Sequence, residues 1–232
     1  LLSIAYHSSR SGCVAEKVIY PWEWDVNKKS PDFEIISRLG NELSLLLPKE
    51  AESGYYAPAS SISRRGNAHD WFYAKTGCIQ YLIEVGTENM QPDDLTIIEE
   101  TIEKNILSAL YLFQRAAGST GSDGPEQYQI TGIITDYNTN ERLSGVEVWI
   151  DELNGPMLEG RVTNAFGRYR RLLIEGTYTI HFNAYGYEPQ QYTFVPSSSQ
   201  ITEYNVSLEP LEVHDLILEF ELPDNFDEPL NI

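Results

Sequence analysis

The feature that most constrains the fold is a nine-residue stretch, 118–126, with the sequence Gly-Ser-Thr-Gly-Ser-Asp-Gly-Pro-Glu. Glycine and serine at this density, followed by proline, are typical of a flexible linker. The hydrophobic periodicity differs on the two sides of this stretch. A length of 232 residues is compatible with one large domain or two modest domains. The sequence therefore predicts a unit at 1–117, a linker at 118–126 and a second unit at 127–209.

The first unit combines strand-like runs with two helical patterns. One helix is predicted from about Asp32 to Leu46 and the other from about Leu95 to Ala116, because apolar residues recur at helical spacing in both. These residues are Phe33, Ile36, Leu39, Leu43 and Leu46 in the first helix, and Ile98, Ile102, Ile106, Ala109, Leu110 and Phe113 in the second. Strands that alternate with amphipathic helices indicate an α/β layer structure.

The second unit alternates apolar and polar residues with a period of two. The runs Val146-Val148-Ile150 and Tyr178-Ile180-Phe182-Ala184 are separated by turn-forming residues such as Asn154-Gly155-Pro156. This spacing predicts a small all-β antiparallel sandwich at 127–209. Residues 210–232 form a tail or one further strand, because Leu216, Leu218, Phe220 and Leu222 also alternate.

Composition narrows the classes of partner. The formal net charge of −19 argues against nucleic acid and anionic membranes as partners. No apolar run reaches the roughly 20 residues of a membrane span. Cys13 and Cys78 could pair in an oxidising compartment, and two buried free thiols are an equally good interpretation. The chain opens inside an apolar run without Met, so we expect its natural N-terminus to lie upstream.

Four short motifs of the first unit occur in an order that resembles a known family. They are His7-Ser8, Tyr20-Pro21-Trp22, the run 66–73 (Gly-Asn-Ala-His-Asp-Trp-Phe-Tyr) and the run 79–86 (Ile-Gln-Tyr-Leu-Ile-Glu-Val-Gly). Together they resemble the C-terminal part of the catalytic domain of carboxypeptidase A-like zinc metallocarboxypeptidases. The resemblance implies part of that mixed-sheet fold with flanking helices, zinc as cofactor, peptide or protein C-termini as substrates, and a secreted or periplasmic location.

The resemblance also assigns roles to individual residues. His7 corresponds to the last zinc ligand and Glu84 to the general base, whereas Ser8, His69 and Asp70 correspond to substrate-binding positions. From spacing alone, a carboxylate on a solvated strand face is the favoured interpretation of Glu84, and the resemblance at Asp70-Trp71 reverses this preference. His69 could equally be a spectator in a reshaped pocket. A histidine in the pocket suggests a polar or acidic terminal residue in the substrate.

The family's other two zinc ligands come from a His-x-x-Glu motif, and none of the four histidines here begins one. We therefore expect the remaining ligands upstream of residue 1, and we expect this chain to associate with that missing N-terminal part. By itself the chain should be incomplete and inactive.

Residues 127–209 show a second resemblance, to the transthyretin-like carboxypeptidase regulatory domain. It rests on Gly132–Asp136, Leu143–Val148, Thr163–Tyr169 and Gly176–Ile180. This module often follows carboxypeptidase catalytic domains, so the two resemblances agree. Two alternatives remain for the whole chain: a peptidase or amidase of the same fold that acts on cell-wall peptides, and a non-catalytic binding or structural module.

Overall fold

The computed structural model describes residues 2–8, 15–25, 28–50, 53–60, 67–87, 94–118, 126–155 and 160–212. Its helices are α1 (Phe33–Leu45), α2 (Ala68–Thr76) and α3 (Leu95–Ala117). Its strands are β1 (Leu2–Ser8), β2 (Lys17–Tyr20), β3 (Glu23–Asp25), β4 (Lys28–Lys29), β5 (Ala57–Ser60), β6 (Ile79–Val85), β7 (Gln129–Asp136), β8 (Glu147–Ile150), β9 (Arg161–Val162), β10 (Arg168–Leu172), β11 (Tyr178–Asn183), β12 (Gln190–Phe194), β13 (Thr202–Glu203) and β14 (Val206–Leu208). Cys13 and the alternating run after residue 215 lie outside the described residues. So do Arg64 and Arg65, two cations close to His69 in the sequence that would assist it in binding a polar or acidic terminal residue.

Residues 2–118, which we call the mixed-sheet unit, form a four-stranded sheet in the order β1-β6-β2-β5. β6 pairs in parallel with β1 and antiparallel with β2, and β2 pairs in parallel with β5. The α/β class with a mixed sheet is thus confirmed. The main core of this unit lies against α1, where Ile36, Leu39 and Leu43 are fully buried as the helical period predicts.

Helix α2 is a third helix that the periodicity does not predict. It has only nine residues, and its buried side chains are His69 and Tyr73, so it lacks an apolar stripe. Its end is marked by Gly77, which adopts a left-handed conformation with φ of 66° and donates its N–H to the Tyr73 carbonyl at 2.9 Å. A glycine at this position is a common helix stop because it has no Cβ to clash in that conformation.

Helix α3 forms where it is predicted, but its apolar stripe points outward. Ile102, Ile106, Leu110 and Phe113 are all about half exposed or more, and Phe113 is 68% exposed. The buried positions are Thr101, Asn105, Ser108, Leu112 and Arg115, which are mostly polar. The inward face is held by hydrogen bonds: Tyr111 donates to Glu42 Oε2 at 2.5 Å, and Tyr6 donates to the Asn105 carbonyl at 3.2 Å.

Residues 126–212, which we call the sandwich, contain two facing sheets. One has the order β12-β11-β8-β9, and in the other β7 lies between β10 and the pair β13 and β14. The alternating residues Val148, Ile150, Ile180 and Phe182 fill the core between the sheets. One detail of the prediction is wrong: β13 and β14 pair with β7 in parallel, so the sandwich is not purely antiparallel. The chain after β12 crosses to the other sheet and enters it in the same direction as β7.

The two units are in direct contact. Arg115, buried at the end of α3, donates to the Leu173 carbonyl at 2.7 Å and to the Tyr128 carbonyl at 3.0 Å. Leu172 and Ile174 of the sandwich pack against the core of the mixed-sheet unit. None of the helices in the described part of the chain is both long and apolar enough to cross a membrane.

Candidate active site

The first pair of predicted site residues lies at the carboxyl ends of two neighbouring strands. β1 and β6 run in parallel, and their register places His7 directly opposite Glu84. Paired residues of parallel strands point to the same face of the sheet. Further back on that face Gln80 Nε2 donates to Ser3 Oγ at 3.2 Å, which agrees with this orientation. The fold thus brings together two residues that are 77 positions apart in the sequence.

Glu84 is a buried carboxylate, with an exposed fraction of 4%. The interpretation of Glu84 as a residue on a solvated strand face is therefore wrong. Its neighbour on the other side, in the antiparallel register with β2, is Lys17. A buried carboxylate needs hydrogen bonds or opposite charge nearby. The strand register places His7 and Lys17 on the two sides of Glu84, and Lys17 belongs to none of the motifs found in the sequence.

The second pair, His69 and Asp70, lies in the first turn of α2. His69 is buried, and its Nε2 is 3.9 Å from Asp70 Oδ2. Asp70 Oδ1 accepts a hydrogen bond from the backbone N–H of Trp22 at 3.3 Å, which ties α2 to the segment after β2. The motifs 20–22 and 66–73, which are distant in the sequence, therefore meet at the Asp70 carboxylate.

The two pairs lie toward different ends of β6. Only Gly77 and Cys78 separate α2 from β6, and α2 packs against the strand. Asp70 binds the backbone of Trp22, just beyond the end of β2. Since β2 runs antiparallel to β6 and sets Lys17 opposite Glu84 and Ile19 opposite Leu82, this end of β2 lies toward the amino end of β6. Ser8 pairs with Val85 one step beyond His7.

The residues described here do not by themselves make a zinc site. Catalytic zinc is held by three protein ligands with one position left open. Within the described ranges, no group of three or more His, Cys, Asp or Glu side chains is arranged to hold a metal ion. His7 is exposed and lies opposite one carboxylate residue in the strand register. An imidazole is a type of ligand that zinc prefers, but one imidazole and one carboxylate are not a complete coordination shell.

In the family that the sequence resembles, a mobile lid tyrosine some residues before the Asp70 position closes over the substrate. Two tyrosines that lie near this lid position in the sequence have different surroundings. Tyr56 is buried and donates its hydroxyl to Glu50 Oε1 at 2.6 Å, whereas Tyr55 is about half exposed. The residue that an ungapped register places at the lid, Ile62, lies outside the described residues. Tyr56 in this arrangement is a core residue.

Two family models match the chain in the predicted order. Residues 1–108 match the zinc carboxypeptidase family, and residues 129–209 match the carboxypeptidase regulatory-like domain.

Two curated proteins show a similarity that extends across both units. Carboxypeptidase D of Anas platyrhynchos is 24% identical over 211 residues, which is 82% of this chain and 14% of that protein. The catalytic chain of carboxypeptidase N of Rattus norvegicus is 25% identical over 199 residues, which is 81% of this chain and 40% of that protein. The chain thus spans less than half of the length of either relative.

Solved structures resemble the chain only weakly. A streptococcal ancillary pilin covers 39% of this chain, with 34% of its own length, at a TM-score of 0.32 and 16% identity. The 5-hydroxyisourate hydrolase of Klebsiella pneumoniae covers 39% of this chain, with 92% of its own length, at a TM-score of 0.29 and 20% identity. These scores are too low to establish a common fold. The two family matches agree with the motifs and with the order of the two units: residues 1–108 are similar to the zinc carboxypeptidase family, and residues 129–209 are similar to the carboxypeptidase regulatory-like domain.

Proposed function

We propose that the chain belongs to a zinc carboxypeptidase that removes single residues from the C-termini of peptides or proteins. The observation that carries the proposal is the register of β1 and β6, which sets His7 opposite the buried Glu84 at the carboxyl ends of the strands. The proposal divides the chain into a catalytic part at 1–117, a linker at 118–126, a regulatory-like part at 127–209 and a tail at 210–232.

In this proposal Glu84 is the general base. It takes a proton from the attacking water and later delivers it to the leaving amine, so that neither hydroxide nor an amide anion has to form free in solution. Zinc, which the family implies, would lower the pKa of a bound water toward about 7, and we propose His7 as one of its ligands. Ser8, His69 and Asp70 would contact or orient the substrate.

The test is the Glu84→Gln substitution in the native protein, as produced by its own organism rather than as the 232-residue chain alone. This change preserves the shape of the side chain and removes the base, so the turnover of peptides should fall at least about 100-fold. Zinc content should stay the same, because Glu84 is not proposed as a ligand. The matched control is Glu99→Gln on the exposed face of α3, which should leave turnover unchanged. Near-normal turnover of Glu84→Gln, or a wild-type protein that releases no terminal residue, would contradict the proposal.

Zinc binding gives a second test, which applies to the 232-residue chain alone. One proposed ligand, His7, does not hold zinc tightly, because the structural and catalytic sites of proteins use three or four. After dialysis against trace zinc, we expect the isolated chain to retain far less than one ion per molecule. Stoichiometric, tight zinc would show that the ligands lie within this chain and that the site has been assigned to the wrong residues.

For the substrate we propose a polar or acidic terminal residue, because His69 is the side chain that α2 would present to it. A buried polar group that is left unpaired by an apolar ligand penalises that ligand. Peptides that end in Glu, Asp, Gln or Asn should therefore have a higher kcat/KM than those that end in Leu or Phe. His69→Ile should reduce this preference, and a wild-type preference for Phe or Leu would exclude the role.

The −19 charge and the regulatory-like unit are compatible with a secreted or periplasmic protein. We propose that location together with the function. A non-catalytic binding module is the second candidate, because the described residues lack a complete metal site. The Glu84→Gln experiment separates the two, since a binding module has no turnover to lose.

A further inference from the structure

One buried carboxylate connects the sandwich to helix α2. Asp32 lies just before the start of α1 and is 5% exposed. Its Oδ1 accepts from Arg171 Nη2 of the sandwich at 3.0 Å, and its Oδ2 accepts from the hydroxyl of Tyr73 on α2 at 2.9 Å. The backbone N–H of Asp32 donates to the same tyrosine oxygen at 3.3 Å. The side chain does not cap α1, so its bonds go to tertiary partners instead.

A second arginine of the sandwich packs against the other end of α2. Arg161 Nη2 is 3.8 Å from Asp32 Oδ2, and its guanidinium carbon is 5.4 Å from the centre of the Tyr73 ring. Its Nε would be 1.9 Å from a Cβ at Gly77, the residue that ends α2. The space that this glycine leaves is therefore occupied by the arginine. A cation at the C-terminal end of a helix also interacts favourably with the helix dipole.

The chemistry of this cluster keeps its charges fixed. Burial, reinforced by the negative charge of Asp32, raises the pKa of Tyr73 well above its usual range, so its hydroxyl stays a donor. Burial and the neighbouring Arg171 lower the pKa of Arg161, and an arginine remains cationic at any physiological pH. Removing one partner from a buried ion pair leaves an uncompensated charge and is strongly destabilising. The cluster should therefore hold α2 in one place.

We propose that Arg161 and Arg171 of the sandwich are positioning residues for α2, and thereby for His69 and Asp70 in its first turn. The path is short: Arg171 binds Asp32, Asp32 binds Tyr73, and Tyr73 is one helical turn from His69. Arg161 fixes the opposite end of the same helix. The positioning of α2 rests only on these contacts, whereas its effect on substrate selection rests on the proposed function. The regulatory-like unit would thus set the geometry of the substrate pocket without touching the substrate.

The test is hydrogen exchange of the backbone amides, which does not require activity. Arg171→Met removes the charge and keeps much of the side-chain volume. It should accelerate exchange in residues 68–76 at least about tenfold, because a buried ion pair loses one partner. Exchange in β11, in the sandwich core, should not change. Arg171→Lys keeps the positive charge but lacks the planar guanidinium group and its several N–H donors. Exchange in residues 68–76 should therefore be slower in this variant than in Arg171→Met, but faster than in the wild type.

The matched control is Arg38→Met. Arg38 also joins the two units, through Glu126 and Glu175, but it contacts the sandwich from α1 rather than through Asp32. This variant should leave exchange in 68–76 within about twofold of the wild type, since partly exposed ion pairs contribute little. Unchanged exchange in Arg171→Met, or equal acceleration in Arg38→Met, would overturn the proposal, because the second result would mean that any loosening of the interface frees α2.

If Arg171→Met does not fold, Tyr73→Phe tests the same path. It keeps the ring beneath Arg161 and removes only the hydroxyl, so exchange in 68–76 should rise severalfold. No rise would overturn the proposal.

The effect on substrates is measured separately, on the active protein. Arg171→Met should reduce the ratio of kcat/KM between peptides with polar and apolar terminal residues more than it reduces turnover of the better substrate. Accelerated exchange in a protein whose wild type has no peptidase activity would leave the positioning role intact and refute the proposed function. Accelerated exchange in an active enzyme with an unchanged ratio would refute the link to the substrate pocket.

Discussion

Helix α3 and the sandwich use their apolar residues in opposite ways. In the sandwich, the alternating residues of β8 and β11 turn inward, and Ile150, Ile180 and Phe182 have no exposed surface. In the mixed-sheet unit, α3 turns its apolar stripe outward and buries Thr101, Asn105, Ser108 and Arg115. The sandwich therefore completes its core within its own residues, whereas the mixed-sheet unit leaves a contiguous apolar helix face exposed in the described part of the chain.

A hydrophobic period predicts which residues of a helix share one face, but it does not predict what that face contacts. A period of 3.6 establishes that one side of α3 is apolar, but it does not establish what that side meets. The orientation follows from polar contacts on the other side of the helix: Arg115 binds two sandwich carbonyls, and Tyr111 binds Glu42. Breaking these bonds in a buried place would leave unsatisfied polar groups. They therefore determine which face turns inward.

The largest effect is expected from a paired truncation of one phenylalanine in each unit. Phe182→Ala in the sandwich core removes a fully buried ring and should lower the free energy of unfolding by about 3–5 kcal/mol. Phe113→Ala on α3 removes a ring that is mostly exposed and should change it by less than about 0.5 kcal/mol. Urea unfolding of both variants measures the difference. A loss at Phe113 as large as that at Phe182 would mean that the α3 face is buried in solution.

The sequence predicts some parts of this fold well because local patterns determine them. The bounds of α1 and α3 and the inward residues of the sandwich follow from periodicity. The opposition of His7 and Glu84 does not, because it depends on the pairing of the first strand with the sixth. The roles of these two residues follow from the family resemblance and remain predictions.

The contacts between the two units are even harder to predict from the sequence than the pairing of β1 with β6. Asp32 and Arg171 are 139 positions apart, and neither stands in a motif. Tyr73 offers a weak local signal, because it lies four residues after His69 and four before Gly77, but α2 is too short to reveal its partners. Which of these long-range ion pairs form depends on how the folded mixed-sheet unit and the folded sandwich pack against each other.

The second-largest effect is expected on self-association of the chain through the exposed face of α3. Large contiguous apolar patches on a surface favour association, so the isolated chain should form oligomers as its concentration rises. Ile106→Lys places a charge in the middle of the stripe, where Ile106 is 54% exposed. It should weaken self-association at least about tenfold, equivalent to about 1.4 kcal/mol. Sedimentation equilibrium measures this constant.

The control for self-association is Phe166→Lys, which changes an exposed apolar residue of the sandwich that lies far along the chain from α3. It should leave the association constant unchanged. A wild-type chain that stays monomeric at high concentration, or equal weakening by both variants, would show that the α3 stripe is not the associating surface.

The smallest expected effect is a pH dependence of stability, and it arises from a buried carboxyl group of the mixed-sheet unit. Glu16, just before β2, is almost fully buried. Burial raises the pKa of its carboxyl, and the negative charge of Glu50 raises it further. Glu50 itself accepts hydrogen bonds from Tyr56 and Lys104, both at 2.6 Å. Glu16 is therefore more easily protonated in the folded chain than in the unfolded chain.

The sign of the effect follows from linkage. A carboxyl whose pKa is higher in the folded state contributes stability that is present below its unfolded pKa of about 4.3 and is lost as the pH rises through the folded pKa. Glu16→Gln mimics the protonated form at every pH, so the variant should become more stable relative to the wild type as the pH rises from 4 to 8. Urea unfolding at several pH values measures this gain, and Glu99→Gln, an exposed carboxylate of α3, should show none. A Glu16→Gln variant that becomes less stable than the wild type as the pH rises would mean that Glu16 is ionised in the folded chain and held by a cation, with Lys49, whose charge lowers the pKa of Glu16, as the candidate.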